Sequence, residues 1–241
     1  MIDNKFLIET HSHTKEVSGC SGISAEKLVE LYIKAGFDGL IITDHYFDGY
    51  LDAIKGDWES KAERYLEGVH KAKKFGTEKG LKVYTGMEIG FVGSYNHYLV
   101  FGVTEKFIVD NKQLYKVGIE GFRRICDDNG LLLFQAHPFR GGMTRVDTNL
   151  LDGIEVFNGH PEQSSHNEMA LEHAILHNKK FMSGSDCHHA HHVGRGGIYL
   201  KKLPEDEKEL SLLVKNDQYE LKYTEDFASG YLQYLKTIKE R

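Results

Sequence analysis

Short runs of β-branched and aromatic residues alternate along the chain with longer amphipathic segments, and this alternation restricts the fold more than any other feature. The runs Phe6–Glu9, Gly39–Thr43, Val83–Ile89, Tyr98–Phe101, Leu131–Phe134, Ile154–Phe157 and Phe181–Ser183 read as strands, and Ile198–Leu200 is a weaker candidate. Between them, Ser24 is placed to cap a helix reaching about Ala35, with Leu28, Leu31 and Tyr32 at helical spacing and Gly36 to end it. Asp57 to about Glu78 and Leu114 to about Asp127 read as two further helices, and Ser165 with Glu168 forms a capping box that opens another. Such alternation predicts an α/β fold: a parallel sheet with helices outside it, and a barrel if the sheet closes. The three prolines and the lack of any low-complexity stretch or internal repeat point to one domain over residues 1–241. Residues 204–241, charged and loosely periodic, read as an outer helix plus a terminal docking segment.

At 241 residues the chain can bury a full-sized core. Its formal net charge of −6 speaks against a general nucleic-acid or membrane-surface binder, which carries a basic excess. Cys20, Cys126 and Cys187 show no CxxC spacing, so no disulfide framework is expected. The first residues lack a basic segment leading into a long apolar one, and no run approaches the roughly 18 apolar residues of a membrane span, so the expectation is a reducing cytoplasm. Histidine is the outlier: the chain has 14, many crowded between His160 and His192. No other side chain both titrates near neutrality and ligates metals so readily.

The polar residues sort onto the strand map. His11 and His13 follow the first strand, Asp44 and His45 end the second, and Glu88 ends the third. His97 precedes the fourth, His137 ends LLLFQAH, and Asp186 and His188 follow FMSG. Nearly all fall at the same end of their strands, where ligands and catalytic groups collect in parallel α/β folds. In an extended HSH segment both imidazoles point to one side and can meet one ion, and DCH repeats the device with a carboxylate. Taken singly, each has an ordinary reading: Asp44 in a turn, His137 packed before Pro138, Glu88 a strand-end charge. Together they supply more nitrogen and oxygen donors than one tetrahedral ion uses, which implies a cluster of two or three divalent ions such as zinc, manganese or iron. His189, His191 and His192 read as spare loop histidines beside this cluster, and His160, His166, His173 and His177 as polar groups around a solvated helix face.

The motifs ETHSHT at 9–14, ITDH at 42–45, GMEIG at 86–90, AHPFR at 136–140, IEVFN at 154–158 and GSDCH at 184–188 resemble, in order, those of the polymerase and histidinol phosphatase (PHP) family of metal-dependent phosphoesterases. The resemblance spans about residues 7–200 and implies a distorted (β/α)7 barrel. It implies that His11, His13, Glu88 and Asp186 hold one metal, that Glu88 shares a second with His97 and His137, and that His45 and His188 hold a third. Family members complete that third site with a histidine or acidic residue shortly after HxH, where this chain offers Cys20. A thiolate can ligate zinc or iron, and a small buried thiol is the other reading. Asp44 is assigned to orienting a ligand histidine.

The chemistry expected is metal-assisted hydrolysis of a phosphate ester, with a water whose pKa falls from about 15.7 toward about 7 as nucleophile. Arg140 and Arg195 are placed to grip the phosphate, and surface positions are the alternative for both. The expected partner is a small phosphorylated substrate rather than long nucleic acid or membrane. The rival readings are a metal-dependent amidohydrolase, for which no strand-end lysine stands out, and a catalytically degenerate metal-binding PHP module.

Overall fold

In the computed structural model, which describes residues 5–227 and 229–231, the apolar runs form strands and the amphipathic segments form helices along most of the chain. Strand β1 is Phe6–Glu9, followed by α1 (Ala25–Lys34), β2 (Gly39–Ile42), β3 (His45–Tyr46), α2 (Asp48–Leu51) and α3 (Trp58–Lys79). Then come β4 (Lys82–Thr85), β5 (Met87–Gly90), β6 (His97–Phe101), α4 (Glu105–Asp110) and α5 (Gly118–Asn129). The remainder comprises β7 (Leu132–Gln135), β8 (Gly153–Asn158), α6 (Asn167–Leu176), β9 (Lys180–Gly184), β10 (Gly197–Leu200), α7 (Glu207–Lys215) and β11 (Tyr219–Lys222). Capping chemistry sets several boundaries. Ser24 accepts from the Lys27 amide to start α1, and Asp57 accepts from the Ser60 amide to start α3, which Gly80 ends in the left-handed region at φ 84°.

The strands form two sheets, ordered β11-β10-β1-β2-β4 and β3-β5-β6-β7-β8-β9. Pairings β1–β2, β2–β4, β3–β5, β7–β8 and β8–β9 are parallel, whereas β1–β10, β5–β6 and β6–β7 are antiparallel, so the sheet is mixed rather than wholly parallel. The chain runs from one sheet into the other at β2–β3 and at β4–β5. On the far side a parallel bridge joins Ser12 to Cys187, and β9 packs on β10 and β11. The result is a distorted α/β barrel wall whose ladder is not continuous around the ring. One apolar core, including Ile8, Leu40, Tyr84, Leu99, Phe134 and Ile154, fills it.

Three local expectations are corrected. Val83–Ile89 is two strands, because Gly86 brings the backbone so close to β2 that a Cβ there would meet Ile41 Cγ2 at 2.7 Å and Thr43 Cγ2 at 2.9 Å. Leu114–Asp127 is a 3₁₀ turn at Leu114–Lys116 followed by α5, separated where Gly118 takes φ 69°. Ser165 does not cap α6: His166 precedes the helix in the left-handed region, and the Ser165 hydroxyl bonds Asn158 instead. The outer helix expected after Pro204 is α7, followed by β11 on the sheet edge. The terminal docking segment lies, from residue 232 onward, outside the described residues.

Candidate metal centre

The segments leaving β1, β2, β7 and β9, together with β5 and β6, bring His11, His13, His45, Glu88, His97, His137, Asp186 and His188 to one end of the barrel. Glu88 lies in the middle. Its Oε1 stands 3.5 Å from His11 Nε2, 3.1 Å from His97 Nδ1 and 3.2 Å from His137 Nε2. Its Oε2 stands 2.6 Å from His45 Nδ1 and 3.7 Å from His13 Nε2. Asp186 Oδ1 lies 3.4 Å from His11 Nε2 and 3.3 Å from both His13 Nε2 and His188 Nδ1. Cys20 Sγ stands 3.2 Å from His45 Nε2 at the mouth.

Hydrogen bonds behind the rings decide which nitrogen faces inward. His11 Nδ1 lies 2.8 Å from Glu155 Oε1, an acceptor, so a proton sits there and Nε2 faces Asp186 and Glu88. His188 Nδ1 is held in the same way by the Asp186 backbone carbonyl at 3.0 Å. For His13 the partner is Ser18 Oγ at 3.4 Å. That hydroxyl donates to Asp44 Oδ1 at 2.8 Å, so its lone pairs are left for the His13 N–H and the His45 amide. Asp44 therefore acts on His13 through Ser18, and also accepts from the Thr14 amide and hydroxyl at 2.7 and 2.6 Å.

Burial of these groups is costly unless something compensates. His11 Nε2, His13 Nε2, His45 Nδ1 and Glu88 Oε2 are buried with no hydrogen-bond partner among the described residues. Burial opposes charge on His11, but the carboxylates of Asp186, Glu155 and Glu88 outweigh it and hold its pKa well above the usual imidazole range. Burial and the charges of His45 and His188 drive His13 well below that range. Burial resists ionisation of Glu88, yet His97, His45 and His11 hold it well below the carboxylate range. Against burial, bonds from His188 and His45 bring the Cys20 thiol down to about 6. Glu88 and Asp186 hold positive charge on His11, and a divalent cation in their midst would supply that charge instead, so the donor set fits one.

Backbone strain marks the same place. His137 and Asp186 take φ 29° and 50°, conformations that cost a non-glycine residue about 1–3 kcal/mol and persist only where the surroundings impose them.

Arg140 reaches the centre: its Nη2 donates to Asp186 Oδ2 at 2.7 Å, Asn158 Oδ1 at 2.8 Å and Ser165 Oγ at 3.2 Å. Arg195 does not line the cleft, and its Nε donates to the Gly159 carbonyl at 2.6 Å. The cleft above the centre has a volume of about 570 Å³, and its outer wall includes Met143, His160, Glu162, Gln163 and His189. His160 thus belongs to the cleft rather than to a solvated helix face. His173 and His177 pair on and just after α6, with ring centroids 4.5 Å apart.

Sequence reasoning gave no role to Glu155 and Asn158, though both lie in the motif IEVFN, and passed over Ser18. The signal for the first two was present: GIEVFN is buried throughout, and a carboxylate and an amide inside such a strand require partners. Glu155 accepts from His11, the His137 amide and Asn158 Nδ2. Nothing local distinguishes Ser18.

A family model, the PHP domain, matches residues 9–224. No curated protein matches the sequence. Among solved structures, PsfC from Pseudomonas syringae PB-5123 superposes with TM-score 0.68 at 15% identity over 98% of each chain. A two-domain protein from Bacteroides vulgatus ATCC 8482 containing a predicted PHP-like metal-dependent phosphoesterase superposes with TM-score 0.65 at 15% identity, over 95% of this chain and 70% of that one. The lesion-specific endonuclease PfuEndoQ from Pyrococcus furiosus superposes with TM-score 0.61 at 14% identity, over 90% of this chain and 58% of its own. At these identities the likeness is one of fold.

Proposed function

Because the chain belongs to the PHP domain family, we propose that it is a metal-dependent phosphoesterase acting on a small phosphorylated molecule. One observation carries the reading: His11 and His13 are held by their Nδ1 contacts with Nε2 turned inward, around the buried carboxylates Glu88 and Asp186. Zinc, manganese and iron accept such mixed imidazole and carboxylate sets. His11, His13, Glu88 and Asp186 would hold one ion, Glu88 with His97 and His137 a second, and Cys20, His45 and His188 a third. When bound, such ions neutralise phosphoryl charge and make a water acidic enough to attack near neutral pH.

The chain's own residues supply orientation and a cation. Glu155 and the Ser18–Asp44 pair keep protons on the outer nitrogens of His11 and His13. Asp186 and Asn158 anchor Arg140 at Nη2, which fixes the guanidinium plane, and Nη1 has no protein acceptor among the described residues. That second nitrogen is the one we assign to a phosphoryl oxygen. A cleft of about 570 Å³ accommodates a small ester, and a net charge of −6 disfavours a long polyanion. No helix among the described residues is long and apolar enough to cross a membrane.

The test is a turnover screen on protein reconstituted separately with Mn²⁺, Fe²⁺ and Zn²⁺. The panel spans small phosphomonoesters, nucleotides, an amide and a duplex oligonucleotide with an abasic site. The expected result is hydrolysis of a small phosphoester, lowered by Arg140→Ala on the order of 100-fold in kcat/KM and only partly restored by Arg140→Lys. Preference for the amide or the duplex, or wild-type turnover in Arg140→Ala, overturns the reading.

A further inference from the structure

The histidine-rich turn after Asp186 extends beyond His188. The 3₁₀ turn Ala190–His192 faces the loop that follows β8, and there Glu162 Oε1 meets His191 Nε2 while Glu162 Oε2 lies 2.9 Å from His192 Nε2. His160 Nδ1 stands 3.3 Å from the same Oε2 but accepts from the Glu162 amide at 3.3 Å. Donor atoms of Glu162, His191 and His192 all lie within 4.8 Å of one another.

His192 separates an ion pair from an ion site. Its side chain is wholly buried, yet Nε2 has no hydrogen-bond partner among the described residues, because the nearby Glu162 oxygen is close but poorly aligned. His45 Nδ1 and Glu88 Oε2 show the same signature in the main centre, 2.6 Å apart and likewise unaligned. On its other side Nδ1 lies 3.3 Å from the His188 amide.

We propose that Glu162, His191 and His192 bind a divalent transition metal, zinc being the natural choice, at a site separate from the main centre. Two imidazoles and a carboxylate, with a water as fourth donor, make a set suited to zinc. Glu162 and His160 also line the cleft, so an ion here ties the loop after β8 to the 3₁₀ turn and stiffens the substrate-facing wall.

The experiment counts zinc by elemental analysis in protein saturated with Zn²⁺ and freed of excess, for wild type, His191→Ala and Glu162→Gln. His191 and Glu162 are 62% and 50% exposed, so neither substitution threatens the fold. The expected result is about one equivalent fewer in each variant, with a smaller zinc-induced rise in melting temperature. The count needs no turnover, so it can fail while the phosphoesterase reading stands, and the reverse. Equal zinc in all three proteins overturns the proposal and leaves Glu162 an ion-pair partner of the histidines. Loss of two or more equivalents overturns it as a separate site.

Discussion

Gly68→Ala tests how α3 supports the metal centre. Gly68 sits in the interior of this helix, where glycine costs about 1 kcal/mol relative to alanine. On propensity alone the substitution is stabilising. In the structure, however, a Cβ at Gly68 would overlap Thr14 Oγ1 and lie 2.8 Å from Asp44 Oδ2. Both groups are buried and bonded to each other at 2.6 Å, so neither can swing aside like the end of a flexible side chain. Overpacking costs about 1–3 kcal/mol. Displacing Asp44 also weakens its bonds from the Thr14 amide and the Ser18 hydroxyl, and bonds to a charged acceptor are worth about 1.5–3 kcal/mol each. Against a gain of about 1 kcal/mol, the net expectation is a loss of about 2–3 kcal/mol. Since Ser18 orients His13, weaker metal retention should accompany it. The assay is urea denaturation of the metal-free protein, paired with metal content after dialysis against a weak chelator. In a Thr14→Ala background one of the two clashes is gone, so the penalty of Gly68→Ala should shrink. If Gly68→Ala is as stable as wild type or more so, and holds its metal equally well, the close approach of α3 to Asp44 has no energetic consequence and the reasoning fails.

Glu155→Gln should weaken metal retention about 10–100-fold in a chelator competition with the fold intact, because His11 loses the carboxylate that fixes its tautomer; unchanged retention would remove Glu155 from the site. Cys20→Ser should lower metal stoichiometry by about one ion without shifting the melting temperature of the metal-free protein, whereas a purely packed thiol would give the opposite pattern. Glu207 is held below the usual carboxylate range: burial opposes its charge, but Lys73 Nζ at 2.8 Å and the Thr85 amide at 2.9 Å prevail. Its folded pKa is depressed, so its stabilisation is complete above the unfolded value of about 4.3 and is lost as pH falls through the folded pKa. Glu207→Gln should therefore cost about 1–2 kcal/mol at pH 7 and progressively less as the pH falls below about 4 in denaturation curves, and a pH-independent difference would contradict the assignment.

Periodicity and residue type determined a good deal without the structure. Alternating apolar runs and caps such as Ser24 and Asp57 are local signals, readable because strand and helix periods involve neighbours only a few residues apart. For the same reason the strand-end placement of His11, His13, Glu88 and Asp186 was visible. The tertiary structure alone decided which sheet each strand joins. Gly86 diverts the chain between sheets because of contacts with Ile41 and Thr43, far away in sequence. It also decided the tautomers, since the partners that set His11 and His13 are Glu155 and the Ser18–Asp44 pair, brought in by other strands and loops. Arg140 and Arg195 looked alike in sequence, yet one reaches Asp186 and the other binds the Gly159 carbonyl. Glu162 and His191 carried no signal of their association, because a donor set assembled from two loops is defined by where the backbone ends up and not by spacing along it.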